Sequence, residues 1–308
     1  MKIAVMGSGG VGGYFGARLA AAGNDVTFIA RGAHLAAIKN RGLTVLSRHG
    51  DVHIHPAEAT DVPSEVGPVD IVLFATKLYD TQSAGQLCKP FIQADTAVIS
   101  LLNGVDSEQQ LSRILGLQHI VGGVARISAE IAEPGVIQHH SPFHSIEFGE
   151  LDGRPSERLQ ALLRAAREAG VDAQLSDDIE AAIWRKFIML ASFSAITTLT
   201  RLAAGPIRSH PQTWGLLETA ARETGAVARA RGVGLDEKDV EGVVAMLRKL
   251  PDTMKSSMLM DLERGNRLEL EWLSGAVCRV GSEAGVDTPV HRLTLAALTP
   301  FAAGKPPS

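Results

Sequence analysis

Residues 3–12 read Ile-Ala-Val-Met-Gly-Ser-Gly-Gly-Val-Gly, an apolar run followed directly by a Gly-x-Gly-x-x-Gly turn. The apolar run predicts a buried strand, and the residues after the turn, through Ala20, predict a helix. Gly7 allows a sharp turn, Gly9 keeps the backbone accessible to phosphate, and Gly12 lets the helix pack closely on the strand. Helix N-termini attract anions, so the stretch predicts a dinucleotide site rather than an ordinary structural turn. The predicted cofactor contacts in it are Gly7, Ser8, Gly9, Gly10, Val11 and Gly12.

A second apolar run, residues 26–30, follows the predicted helix at the spacing of one strand–helix–strand unit. Sites for NAD commonly place an acidic residue at the end of this strand, where it binds the ribose hydroxyls. This chain has Arg31 there instead. Because arginine pairs with phosphate through two charge-assisted hydrogen bonds, the sequence predicts NADP, as NADPH, as the cofactor. The alternative is an ordinary surface arginine.

Composition narrows the class of protein. The chain has 308 residues, which favours two domains, and a net charge of −4, which argues against nucleic acid or an anionic membrane as a partner. Its two cysteines, Cys88 and Cys278, lie far apart, so we expect no metal site and a cytoplasmic location. The longest apolar run, Phe187–Leu199, is too short for a membrane span. We expect a small-molecule substrate, and the apolar helical half is compatible with a homodimer.

The fold class follows from the pattern along the chain. Residues 69–75 and 97–102 are apolar runs that predict strands buried on both faces of a parallel sheet. After residue 176 the pattern is helical. We therefore predict an α/β Rossmann-type domain with a parallel sheet core over residues 1–175 and an all-α substrate and catalytic domain over residues 176–308. Other predicted strands cover residues 120–131, 136–138, 145–148 and 171–175, and predicted helices cover 34–40, 157–168, 211–230, 237–249 and 269–284.

Polar side chains follow two of the predicted strands. Lys77 comes after the strand at 69–75, and Asn103 comes after the strand at 97–102. Because ligands of such sheets bind beyond the carboxyl ends of the strands, both are candidate site residues. Lys77 could neutralise a phosphate or a substrate carboxylate, and Asn103 could hold the nicotinamide amide or a substrate oxygen. The alternatives are a solvated lysine and an Asn-Gly turn.

The helical half carries three further candidates. Lys186 lies inside an apolar helical segment and could donate a proton to a carbonyl oxygen as a hydride reaches the carbon. Ser257 could bind a carboxylate, and Glu269 could accept a hydrogen bond from a substrate hydroxyl or pair with Lys186. The alternatives are a lysine at the rim of a core helix, a serine flanking a helix and an exposed helix glutamate.

Taken together, these motifs resemble those of the ketopantoate reductase family (2-dehydropantoate 2-reductases) over nearly the full chain. The matching stretches are Gly7–Gly12, Arg31, Ala75–Lys77, Leu102–Gly104, Trp184–Phe187, Ser256–Met258, Asp261, Gly265, Glu269 and Gly285–Val290. The resemblance implies NADPH-dependent reduction of a 2-oxo acid to a 2-hydroxy acid. It also implies that Lys186 is the general acid and that Lys77, Asn103, Ser257 and Glu269 line the site.

The chain departs from the family pattern at two positions. The family commonly has asparagines four and eight residues after the lysine, where this chain has Leu190 and Ser194. That spacing places the side chains on one helix face. Leucine donates no hydrogen bond and favours an apolar substrate group, although it would also suit a core position. Ser194 keeps a hydroxyl and remains a predicted substrate contact.

Three functional hypotheses follow. The first is a ketopantoate reductase that converts 2-dehydropantoate to pantoate. The second is a paralogue that reduces a different 2-oxo acid. The third, from another class of protein, is an NADP-binding sensor without turnover.

Overall fold

A computed structural model describes residues 1–305 of the chain as two compact units. The first unit combines Met1–Leu102 with Ser107–Ile179, and the second combines Asn103–Asp106 with the chain from Glu180. This division lies four residues beyond the predicted boundary at 175. It also assigns a short internal segment to the second unit.

The first unit is an α/β unit. Its strands are β1 (Lys2–Met6), β2 (Asp25–Ile29), β3 (Leu43–Leu46), β4 (Val52–Ile54), β5 (Glu58–Thr60), β6 (Ile71–Phe74), β7 (Ala97–Ser100), β8 (Ile120–Arg126), β9 (Ala129–Glu133), β10 (Val136–His139), β11 (Ser145–Glu150) and β12 (Asp172–Leu175). Its helices are α1 (Gly10–Ala21), α2 (Gly32–Arg41), α3 (Thr81–Cys88), α4 (Ser107–Leu115) and α5 (Glu157–Glu168).

Eight strands form the main sheet, in the order β12-β11-β8-β7-β6-β1-β2-β5. Neighbouring strands run parallel except β8 and β11, which pair antiparallel. Every residue of β6 and β7 is buried, as their unbroken apolar sequences indicate. The predicted parallel sheet core is therefore confirmed.

A second sheet of four strands, in the order β4-β3-β10-β9, was not predicted as a separate sheet. Helix α1 packs against both sheets through faces that are rich in glycine. An added Cβ at Gly16 would lie 2.7 Å from the ring of Phe28 in the main sheet, and one at Gly13 would lie 2.9 Å from Ile137 in the second sheet. The glycines of α1 therefore allow a close approach on two sides.

Aromatic and histidine side chains pack beside α1 next to the second sheet. The Tyr14 hydroxyl lies 3.0 Å from Nδ1 of His144, and the rings of His49 and His144 have centroids 4.0 Å apart. The ring of His139 lies 4.8 Å from that of Tyr14. The guanidinium of Arg18 lies over the Tyr14 ring. Burial, together with repulsion from His49, His139 and Arg18, lowers the pKa of His144 to about 4.

The second unit is helical. Its helices are α6 (Ile179–Thr200), α7 (Ala204–Ser209), α8 (Pro211–Ala230), α9 (Glu237–Arg248), α10 (Ser257–Arg264), α11 (Ser274–Glu283) and α12 (Pro289–Leu298). Most of α6 is buried in one hydrophobic core shared with residues of α8, α9, α11 and α12. An all-α second unit, as predicted, is therefore confirmed. Within residues 1–305, none of the helices has the combined length and apolar character of a membrane span.

A buried polar network joins three of these helices. Glu223 of α8 accepts hydrogen bonds from the backbone N–H groups of Val290 and His291, at the N-terminus of α12. The fully buried ring of His291 bonds to the hydroxyls of Thr224 and Ser274. Burial lowers the pKa of His291 to about 4, so the ring is neutral in the folded chain at neutral pH.

The lowered pKa values of His144 and His291 predict a loss of stability in acid. Between the ordinary histidine pKa of 6.5 and the folded value of about 4, the unfolded chain binds more protons than the folded chain. The free energy of unfolding therefore falls as the pH falls through this window. For the fully buried His291, we expect a loss of about 3 kcal/mol by about pH 4.

Urea unfolding of the protein across this pH range measures the loss. His291→Gln removes the buried titratable group and should flatten the pH dependence, whereas His210→Gln, on an exposed residue, should not. An unfolding free energy that stays constant or rises on acidification would contradict the prediction.

Candidate functional site

The glycine turn between β1 and α1 has the backbone that the sequence predicts. Gly7 has a φ of +95°, a backbone conformation that residues with a side chain rarely adopt. An added Cβ would lie 2.8 Å from the carbonyl oxygen of Ala75. A Cβ at Gly12 would lie 2.9 Å from the side chain of Val5 and closer still to the Gly7 oxygen. The turn therefore requires glycine at both positions for steric reasons.

Gly9 differs from both, because an added Cβ there would meet nothing within 4 Å. Its φ of −75° suits any residue, so the fold itself does not require glycine. In the described chain, α1 has no side-chain cap at its N-terminus and no acidic residue in its first turn. Open space beside helix N–H groups that no side chain caps fits the pyrophosphate of a dinucleotide.

The structure adds a packing role for Gly10 that the sequence analysis missed. A Cβ at Gly10 would lie 2.5 Å from the carbonyl carbon of Ala129, and closer to its oxygen. Gly10 therefore allows the start of β9 to pack against the start of α1. Sequence offered no signal for this contact, since Ala129 lies in a distant part of the chain, within a sheet that was not predicted.

Three predicted cofactor contacts lie at one edge of the main sheet. Strands β2, β1 and β6 are parallel neighbours, so their carboxyl ends meet at the same edge. Gly7 follows β1, Arg31 follows β2 and precedes α2, and Lys77 follows β6. The side chains of Arg31 and Lys77 are exposed at this edge, where positive charge suits a phosphate.

In the helical unit, the structure brings together Lys186 and Asn103. Lys186 is half-buried on α6, and its Nζ donates a hydrogen bond of 2.9 Å to Oδ1 of Asn103. Asn103 belongs to the short segment Asn103–Asp106, which an ion pair from Arg279 to Asp106 also ties to the helical unit. The amide therefore orients the ammonium and keeps its own Nδ2 as a hydrogen-bond donor.

One apolar and one polar residue follow along the same face of α6. Leu190 is half-buried and Ser194 is 3% exposed, one and two turns beyond Lys186. Further along, the Thr197 hydroxyl lies 2.7 Å from Oγ of Ser256. A hydroxyl pair thus links α6 to the N-terminus of α10.

Two adjacent serines at the start of α10 have different environments. Ser256 is buried and caps the helix by accepting a hydrogen bond from the backbone N–H of Leu259. Ser257, the predicted carboxylate contact, is the first helical residue and is exposed. The capping role of Ser256 was not predicted, since a Ser-Ser pair gives no sign of which residue caps the helix.

Glu269 directly precedes a short 3-10 turn, Leu270–Trp272, that leads into α11, and it is 6% exposed, so it is not the exposed helix glutamate of the alternative interpretation. A buried carboxylate needs polar partners that offset the cost of its burial, and a substrate hydroxyl is a suitable partner.

Among residues 1–305 there is no cluster of three histidine, cysteine, aspartate or glutamate side chains that could hold a metal ion.

Comparison with known proteins covers both units. The profile of the family described as "Ketopantoate reductase PanE/ApbA" matches residues 3–153. The profile described as "Ketopantoate reductase PanE/ApbA C terminal" matches residues 178–302.

Individual relatives align along almost the whole chain. The uncharacterized oxidoreductase YkpB of Bacillus subtilis is 33% identical over 99% of this chain and 100% of its own length. The 2-dehydropantoate 2-reductase of Archaeoglobus fulgidus is 32% identical, with 96% and 95% of the two chains covered.

Solved structures show the same fold. A PanE/ApbA family ketopantoate reductase from Ralstonia eutropha has a TM-score of 0.90 at 32% identity, over 98% of both chains. A D-mandelate dehydrogenase solved with NADH and anilino(oxo)acetate has a TM-score of 0.88 at 25% identity, again over 98% of both chains. The chain therefore belongs to the ketopantoate reductase family of NAD(P)-dependent oxidoreductases.

Proposed function

We propose that this protein reduces a 2-oxo acid to a 2-hydroxy acid with NADPH, and that 2-dehydropantoate is the substrate to test first. The hydrogen bond between Lys186 and Asn103 is the observation that carries the proposal. A half-buried ammonium held by an amide is suited to stabilise and protonate an oxyanion. A binding protein without turnover has no need of such a pair.

In this mechanism, bound NADPH supplies the hydride that the keto carbon accepts. Lys186 faces the keto oxygen, stabilises the negative charge that develops on it and donates a proton from Nζ. Asn103 holds Lys186 in one orientation through Oδ1. An ammonium that is already oriented loses less conformational freedom when substrate binds, which lowers the barrier to the reaction.

The remaining candidates bind the substrate. Ser257 offers its exposed hydroxyl at the N-terminus of α10, where the helix dipole favours a carboxylate. The buried carboxylate of Glu269 accepts a hydrogen bond from a substrate hydroxyl, and the Ser194 hydroxyl contributes a polar contact on the Lys186 face of α6. In 2-dehydropantoate, the terminal hydroxyl is the group that Glu269 would recognise.

The choice of NADPH rests on Arg31 and Lys77, two exposed cations at the carboxyl edge of the main sheet. No acidic residue replaces Arg31 at the end of β2, where a carboxylate would select the ribose hydroxyls of NAD. The 2′-phosphate of NADPH would accept hydrogen bonds from the Arg31 guanidinium.

We expect Arg31→Ala to weaken NADPH binding by about tenfold or more, because a charge-assisted contact to phosphate is lost. Binding of NADH, which has no 2′-phosphate, should change little. Fluorescence titration with each cofactor measures both constants, and Arg48→Ala, on an exposed arginine between β3 and β4, is the matched control. Equal losses for the two cofactors would show that Arg31 does not select the phosphate.

A second candidate function is reduction of a 2-oxo acid with an apolar or aromatic substituent. Leu190 favours it, since leucine on the Lys186 face of α6 offers no hydrogen bond to a polar substrate group. The related D-mandelate dehydrogenase, solved with anilino(oxo)acetate, also favours it.

A substrate panel tests the proposed function. NADPH oxidation is followed with 2-dehydropantoate and with branched and aromatic 2-oxo acids, and kcat/KM is compared. A dominant preference for 2-dehydropantoate supports the first candidate, and a preference for aromatic 2-oxo acids supports the second. Cofactor binding without turnover of any 2-oxo acid would overturn both and favour a sensor.

A further inference from the structure

His34, in the first turn of α2, bridges two parts of the α/β unit. Its Nε2 lies 2.9 Å from the carbonyl oxygen of Ser8, inside the glycine turn. Its Nδ1 accepts a hydrogen bond of 3.1 Å from the backbone N–H of Gly135, between β9 and β10. The ring is half-buried, and no motif in the sequence indicates a role for it.

These two contacts determine the tautomer of the ring. Nδ1 accepts from Gly135, so it carries no proton, and the proton of the neutral ring lies on Nε2. Nε2–H therefore donates to the Ser8 carbonyl oxygen. Burial lowers the pKa of His34, which favours the neutral ring that this arrangement requires.

Ser8 is anchored on its other side as well. Its backbone N–H and its hydroxyl both donate to the carbonyl oxygen of Ile29, at the end of β2, and Ser8 is only 3% exposed. In a trans peptide the C=O and the following N–H point in opposite directions. A hydrogen bond that fixes the Ser8 carbonyl therefore also fixes the direction of the Gly9 N–H.

This control of direction matters at Gly9. Glycine has no Cβ to restrict its backbone, so the Ser8–Gly9 peptide could rotate unless another group held it. N–H groups in this turn are the donors that a dinucleotide pyrophosphate would use. Gly9 also has open space beside it.

We propose that His34 is a positioning residue for the dinucleotide site, which orients the Ser8–Gly9 peptide so that the turn presents its N–H groups to the pyrophosphate. This inference rests on the proposed function only for the presence of a dinucleotide. Because NADH and NADPH share the pyrophosphate, His34 serves both equally, in contrast to Arg31.

The test compares two variants. His34→Ala should weaken binding of NADPH and of NADH by about tenfold each, while kcat at saturating cofactor stays near that of the unmodified enzyme. His34→Gln should restore most of the affinity, since its amide N–H can donate to Ser8 and its oxygen can accept from Gly135. His53→Ala, on an exposed histidine of β4 that bonds to Thr44, is the matched control.

A second readout needs no cofactor. Histidine ¹⁵N NMR of the protein without ligand should show a neutral His34 ring protonated at Nε2, and an Nδ1–H or doubly protonated ring at neutral pH would overturn the proposal even if His34→Ala did not fold. Unchanged affinities in His34→Ala would overturn it too, as would equal losses in the Ala and Gln variants. If the unmodified enzyme binds NADH but not NADPH, the proposed cofactor is wrong, yet NADH titration still tests His34.

Discussion

Replacing Lys186 by alanine should lower kcat by about two to four orders of magnitude, the range that a positioned general acid contributes. The NADPH dissociation constant should stay nearly unchanged, because the groups proposed to bind its phosphates, the glycine turn with Arg31 and Lys77, belong to the α/β unit and Lys186 belongs to the helical unit. Stopped-flow measurement of NADPH oxidation, together with fluorescence titration of NADPH, separates the two quantities.

Two further variants make this test specific. Arg185→Ala removes the adjacent cation, which is exposed and paired with Asp239 at 2.7 Å, and should leave kcat unchanged. Lys186→Arg keeps the positive charge, but a guanidinium does not give up its proton in proteins, so this variant should remain slow. Full activity in either Lys186 variant would contradict the assignment of this residue as the proton donor.

Replacing Gly10 by alanine should destabilise the fold by about 2–4 kcal/mol, since overpacking of backbone against backbone leaves no flexible side chain to move away. The added Cβ would approach the carbonyl group of Ala129, so α1 and β9 would have to separate. Thermal or urea unfolding without cofactor measures the effect, because it does not depend on nucleotide binding.

Gly9→Ala is the matched control one residue earlier. Its Cβ meets nothing within 4 Å, so the stability of the protein without cofactor should change by less than about 0.5 kcal/mol. The same methyl group would occupy the space proposed for the pyrophosphate and weaken NADPH binding. If Gly10→Ala unfolds like the unmodified protein, the packing argument for Gly10 is wrong.

Local signals in the sequence predicted several elements well. The helix predicted over residues 157–168 is α5, which Ser156 caps, and the helix predicted over 211–230 is α8, which begins with Pro211. Unbroken apolar runs predicted the strands β6 and β7, because the side chains of both strands are buried on both faces of the sheet.

The second sheet depends on pairing between distant segments, which no local pattern records. Strand β10 pairs with β3, although the two are far apart in the chain. The tight contact at Gly10 is a consequence of this sheet, so the sequence motif gave that glycine only a cofactor role.

The candidate site was predictable where chemistry and spacing coincide, and less so where side chains from distant segments meet. An apolar helix interrupted by one lysine indicated Lys186, and a strand end indicated Asn103, but their hydrogen bond required the structure. His34 gave no signal, because its two partners are backbone atoms that any residue could supply.

The segment Asn103–Asp106 limits how this protein can be recombined with its relatives. A chimera joined once, near residue 178, would take its helical half from one parent and the amide that holds Lys186 from the other. Residues that contact each other couple energetically, so both halves of such a chimera could fold while the hydrogen bond that orients Lys186 is weakened. Exchange of the segment Asn103–Asp106 along with the helices would take both Lys186 and Asn103 from the same parent.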